Sequence, residues 1–119
     1  MNIDKDLVAA SATPLVLAIL NRGESYGYAI LKSVREISNG ELEWTDGMLY
    51  PLLHRLHRLG YVTREWRIPP EGRRRRYYAV TDEGQAALAE HRKQWATVAK
   101  ALGDAWGGVD LMPLAFGGA

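Results

Sequence analysis

The chain contains no cysteine, which excludes disulfide bonds and cysteine-ligated zinc and fits a reducing cytoplasm. Long apolar runs are missing too. The longest, Pro14 to Leu20, is far too short to cross a bilayer, so no membrane partner is expected. The opening residues, Met1 to Asp6, lack the basic region and apolar core of a secretory signal, and a cytoplasmic location is the expectation. No internal repeat and no long linker interrupt the 119 residues, which suffice for one domain with one core. Catalytic signatures are absent as well. Ser25, Ser33 and Ser38 lie outside any G-x-S-x-G pattern, and neither a P-loop nor a G-x-G-x-x-G occurs. His54 and His57 stand i,i+3 on one helix without a third ligand, so no metal, no cofactor and no enzymatic activity are expected.

Net charge is only +1, but its distribution is uneven. Between His54 and Arg76 the chain places arginines at 55, 58, 64, 67, 73, 74, 75 and 76 against Glu65 and Glu71, a window of +6. The rest of the chain therefore carries −5. A local basic patch, not the total, makes a nucleic-acid footprint. The densest part is Gly72-Arg73-Arg74-Arg75-Arg76-Tyr77-Tyr78, directly after the turn signal Pro69-Pro70-Glu71-Gly72. The bland reading of such a run is a solvated surface. Its position favours another: a basic hairpin behind a compact helical segment is what gripping DNA phosphates and a narrow minor groove requires.

Punctuation at Asn21-Arg22-Gly23, Asn39-Gly40, Gly60, Pro69 to Gly72 and Gly107-Gly108 divides the chain. Thr13-Pro14 reads as the cap and first residue of an apolar first helix, with residues 3–12 as a separate turn or a kinked arm. The second helix is expected from Ser25, its N-cap, to Ser38, with Ile30, Val34 and Ile37 on one face. Thr45 caps a third helix over Asp46 to Leu59, in which Leu49, Leu52, Leu53, Leu56 and Leu59 form a stripe. Gly47, Tyr50, Pro51, His54 and Arg58 fall on the opposite face, where a solvated surface is the bland reading and DNA contact the sharper one. Strands follow at Tyr61 to Trp66 and Arg74 to Val80. Thr81 then caps a long fourth helix reaching to about Trp106. On it Leu88, His91, Trp95, Val98, Leu102 and Ala105 recur at spacings of three and four. Such a seam either packs on the domain's own core or, on a helix too long for that core, meets a second subunit; a dimer interface is the favoured reading. Trp95 reads either as dimer core or as the wall of a cavity for a flat hydrophobic effector.

The fold class expected is mainly α with a small β-hairpin: a winged helix-turn-helix of order α-α-α-β-β-α with a long C-terminal dimerisation helix. Residues 1–81 form the DNA-binding domain, 82–106 the dimerisation helix and 107–119 a flexible tail.

Three segments, Ser25-Tyr26-Gly27-Tyr28-Ala29-Ile30, Gly47 to Leu56 and Gly72 to Gly84, together resemble the PadR family of bacterial transcriptional regulators, over about residues 12 to 106. The single short C-terminal helix is similar to the small subfamily that includes multidrug-responsive repressors. The resemblance implies a homodimeric repressor of a palindromic operator in double-stranded DNA, with the first and fourth helices at the dimer interface. It maps Tyr50 and the Gly72–Arg76 wing onto family DNA-contact positions, and Trp95 onto a tryptophan facing a pore in drug-binding members. Pro14 departs from the family's usually uninterrupted first helix, and Arg92 and Ala99 stand near Trp95 in place of further aromatic or acidic residues. The candidate DNA contacts are Tyr26, Thr45, Gly47, Met48, Tyr50, Pro51, His54, Arg55, Arg58 and Arg73, Arg74, Arg75 and Arg76. The candidate dimer interface is Leu15, Leu88, His91, Trp95, Val98 and Leu102, and Trp95 is the candidate effector contact. The alternative is a winged-helix protein–protein module that binds no DNA.

Overall fold

A computed structural model describes residues 1–111. Helix α1 spans Lys5–Asn21 and begins earlier than the Thr13-Pro14 signal suggests, because the Asp4 carboxylate caps it by accepting from the Asp6 amide at 2.8 Å. Pro14 lies inside this helix. The carbonyl its ring deprives of a donor is that of Ala10, an exposed residue where water can replace the lost bond. Thr13 caps nothing; its hydroxyl accepts from Arg55 Nη2 at 3.0 Å.

Ser25 is likewise not a cap. Ser25–Tyr26 forms a short strand, β1, ahead of helix α2 at Gly27–Ile37. Helix α3 (Asp46–Arg58) follows, with Thr45 at its cap position but making no side-chain capping bond. Leu49, Leu52, Leu53 and Leu56 are buried as the stripe requires, whereas Leu59 lies beyond the helix and is 54 % exposed, and Ile37 of α2 also faces outward. At Gly60 (φ 80°) the chain reverses in the left-handed region, and the Tyr61 amide returns to the Leu56 carbonyl at 2.9 Å.

Strands β2 (Val62–Arg67) and β3 (Arg75–Val80) pair antiparallel, with Trp66 opposite Arg76 and Arg64 opposite Tyr78. β1 joins the far edge of β3 through Ser25 opposite Tyr78 and Tyr26 opposite Tyr77, so the expected hairpin is a three-stranded sheet of order β1-β3-β2. Helix α4 spans Asp82–Ala105. The Thr81 hydroxyl accepts from the Gly84 amide at 3.0 Å and donates to the Gly60 carbonyl at 2.6 Å, tying the helix start to the root of the wing.

The core is formed where α1, α2 and α3 meet: Val16, Leu17, Leu20, Ile30, Val34, Leu49, Leu53 and Leu56 are fully buried. Val62, Tyr78 and Leu88 close it from the sheet and from the start of α4. Beyond Leu88 the fourth helix leaves this core. Its 24 residues span about 36 Å; it still flanks α1 as far as Trp95, and the stretch beyond runs past the three-helix core. Gly107 and Gly108 both adopt positive φ, and the Val109 amide returns to the Gly103 carbonyl at 2.9 Å. Residues 107–111 of the expected flexible tail thus begin by turning back on α4; residues 112–119 lie outside the described residues.

Candidate nucleic-acid interface

Helices α2 and α3 form a helix-turn-helix, and α3 turns Gly47, Tyr50, Pro51, His54 and Arg58 to solvent on the side away from its leucines. Thr45 is exposed just ahead of them. Tyr50 is only half exposed because its hydroxyl rests against the first turn of α2: a β-carbon placed on Gly27 would stand 2.2 Å from that oxygen. Burial, with help from Asp46 and Tyr78, pushes the Tyr50 hydroxyl above the ordinary tyrosine pKa. It therefore stays a neutral donor over the physiological range, suited to a phosphate oxygen. Facing the sheet from α3 is His57, whose pKa is held below the usual histidine value by burial and then by Arg64, His54 and Arg76.

The pleat of β2 and β3 sorts the wing arginines onto two faces. On the outer face Arg67 donates to Glu24 at 2.7 Å and to Glu65 at 2.7 Å, and Arg75 pairs with Glu71 at 3.1 Å. Hydrogen bonding from Arg67 lowers the Glu24 pKa, so that carboxylate stays charged. Tyr26 and Tyr77 meet edge to face at 5.5 Å on the same side, with Arg75 over the Tyr26 ring at 4.4 Å. On the face turned toward α3, Arg74 and Arg76 lie over the Trp66 indole at 4.2 and 4.6 Å. Neither they nor Arg73 pair with a carboxylate among the described residues.

At the start of α2 lies a concavity of about 520 Å³ that reaches round the edge of the sheet: Tyr26, Tyr28, Tyr50 and Trp66 line it together with Arg73, Arg74, Arg76 and the glutamate-paired Arg75. Two nominated contacts fall elsewhere. Met48 is half-buried against the core, and Arg55 is held by Thr13 of α1. Both sit on the flank of α3 turned toward α1, about 120–140° round from the Tyr50–His54 face. Conversely, sequence reasoning missed Tyr28, which is 68 % exposed, and Trp66, which is 51 % exposed. The available signal for Trp66 was strand pairing, which sets it opposite Arg76.

Helices α1 and α4 pack together around a separate groove of about 590 Å³ lined by Pro14, Leu15, Ala18, Leu88, Arg92 and Trp95. His91 and Trp95 are half-buried there, and Val98 (46 %) and Leu102 (38 %) are exposed further along α4. Leu88 lines this groove at its inner edge. At 7 % exposure it is already enclosed by its own domain's core and has little surface left to bury. Among the described residues no helix is long and apolar enough to cross a membrane.

Helix-turn-helix, basic hairpin and long trailing helix together define a winged helix-turn-helix protein. The profile of the transcriptional regulator PadR-like family matches residues 16–90, and the chain belongs to that family of transcriptional regulators. The chain is 39 % identical over 66 residues to the transcriptional regulator Rv3488 of Mycobacterium tuberculosis, covering 56 % of this chain and 61 % of that one. With the transcriptional regulator YqjI of Escherichia coli it shares 30 % over 80 residues, covering 67 % of this chain but only 37 % of that protein. A PadR family regulator from Eggerthella lenta superposes with a TM-score of 0.75 at 32 % identity, over 86 % of this chain and 87 % of the other.

Proposed function

We propose that this regulator binds double-stranded DNA as a homodimer and represses transcription from a palindromic operator. In this reading the outward half of α3 enters the major groove with Tyr50 and His54, and Arg73, Arg74 and Arg76 of the wing contact the flanking backbone. The observation that carries the proposal is the set of carboxylate-free wing guanidiniums beside that exposed helix face. A protein–protein module would have no need to leave such charge unneutralised, which argues against that alternative. The second copy is proposed to join through α1 and α4, where Val98 and Leu102 stay exposed in one subunit. The groove beside Trp95 has the volume of a small-molecule site, and a flat hydrophobic effector is the ligand class proposed for it.

The test is salt-dependent binding to duplex DNA from the protein's own promoter. Replacing Arg73, Arg74 and Arg76 by alanine should weaken binding to operator and random duplex alike. It should also shallow the slope of log K against log salt by about 0.9 per lost contact. Unchanged affinity and slope would contradict the assignment of the wing.

A further inference from the structure

We infer that Trp66 is a positioning residue for DNA recognition: its indole holds Arg74 and Arg76 ready for phosphates without neutralising them. The inference rests on the DNA-binding reading above and adds a residue and a role to it. The wing carries two kinds of arginine, separated by the alternation of its strands. Arg67 and Arg75 lie over Tyr77 and Tyr26 at 4.8 and 4.4 Å, but each also pairs with glutamate. A guanidinium held by a carboxylate has already spent its charge and has little to offer a phosphate. Arg74 and Arg76 lie over an indole at similar distances and have no carboxylate partner among the described residues. Contact with an aromatic face restrains a long side chain while leaving its charge and its N–H donors open.

The placement of Trp66 supports this role. It stands directly opposite Arg76 in the strand register and shares a concavity with Tyr50. Half of its surface remains exposed, so it is not a core residue whose burial alone would account for a tryptophan at that position. A free arginine loses side-chain entropy when it is fixed on DNA; one already restrained loses less. The glutamate pairing, and not position alone, since Arg75 also borders the concavity, implies that Arg67 and Arg75 brace the wing against β1 and its turn and add little to DNA affinity.

The experiment is a double-mutant cycle on DNA affinity at several salt concentrations, using Trp66→Ala, Trp66→Phe and the pair Arg74→Ala/Arg76→Ala. Trp66→Ala should weaken binding by about tenfold, the scale of the ordering cost saved on two arginine side chains. It should leave the salt slope near that of the unaltered protein, since no charge is removed. Trp66→Phe should recover most of the affinity. In the Arg74→Ala/Arg76→Ala background the tryptophan change should have no further effect. An equal loss in both backgrounds would overturn the inference, since Trp66 would then act by itself or only brace the hairpin. Wild-type affinity in Trp66→Ala would overturn it too. A second readout needs no DNA: the Arg74 and Arg76 side-chain protons should show upfield ring-current shifts that vanish in Trp66→Ala. If those shifts are present but the unaltered protein shows no salt-dependent DNA binding, the fault lies in the DNA-binding reading, and the positioning role falls with it. If DNA binding is present and the shifts are absent, the inference alone fails.

Discussion

Gly27 shows how one missing side chain places another. The Tyr50 hydroxyl occupies the space a Gly27 methyl would need, 2.2 Å from where that carbon would stand. Gly27→Ala should therefore swing the end of the Tyr50 ring away from α2. The ring end can move, so stability should change little. DNA affinity should drop several-fold, as a misplaced hydroxyl loses its phosphate, and fluorescence anisotropy with a labelled duplex would measure the loss. Wild-type affinity in Gly27→Ala would mean that the position of this hydroxyl is immaterial. At this scale the sequence was partly legible. The outward set Gly47, Tyr50, Pro51 and His54 follows from helical periodicity alone. Met48 and Arg55 were assigned to the same interface, yet they sit at the edge of the leucine stripe, where partners on α1 decide their direction. Periodicity gives the angle of a side chain on its own helix; it says nothing about what the neighbouring helix offers.

The same limit appears among the elements. Four helices and the paired wing strands were readable from caps, turns and alternation. β1 was not, because two residues cannot display a period of two, and its existence depends on β3 some fifty residues away. The start of α1 was misplaced for the opposite reason. Thr13-Pro14 is a strong local signal, but the helix continues through it, with Asp4 supplying the cap and with Ala10, the residue four before the proline, exposed. The attachment of α4 to the wing root depends on close approach. A β-carbon on Gly84 would lie 2.1 Å from the Tyr61 carbonyl oxygen and 2.7 Å from a Val80 methyl. Backbone cannot yield as a side-chain tip can, so Gly84→Ala should destabilise the fold by about 1–3 kcal/mol, the cost of overpacking a tight contact. Chemical denaturation measures this, and a change below about 0.5 kcal/mol would mean that the helix start shifts freely.

At the scale of the whole molecule, the proposed DNA-facing surface is built from α2, α3 and the wing, and the groove from α1 and α4, within one body 54 Å in its longest dimension. Leu88 anchors α4 in the domain core, and Val98 and Leu102 further along are exposed, where the proposed dimer would cover them. Leu102→Glu should preserve the fold of the single subunit, where this side chain is already 38 % exposed. It should weaken dimerisation by several kcal/mol, because a carboxylate would be enclosed in an apolar seam. Sedimentation equilibrium would read this directly, and a dimer of unchanged affinity would exclude that stretch of α4 from the interface. The central claim is that this regulator meets DNA with the outer half of α3 and one face of its wing. Chemical-shift mapping of backbone amides during titration with operator duplex tests it most directly. The account predicts that the largest shifts fall at residues 45–58 and 73–76, with little change along α4 beyond Leu88. Shifts confined to α4, or none with operator duplex in excess over the protein, would contradict it.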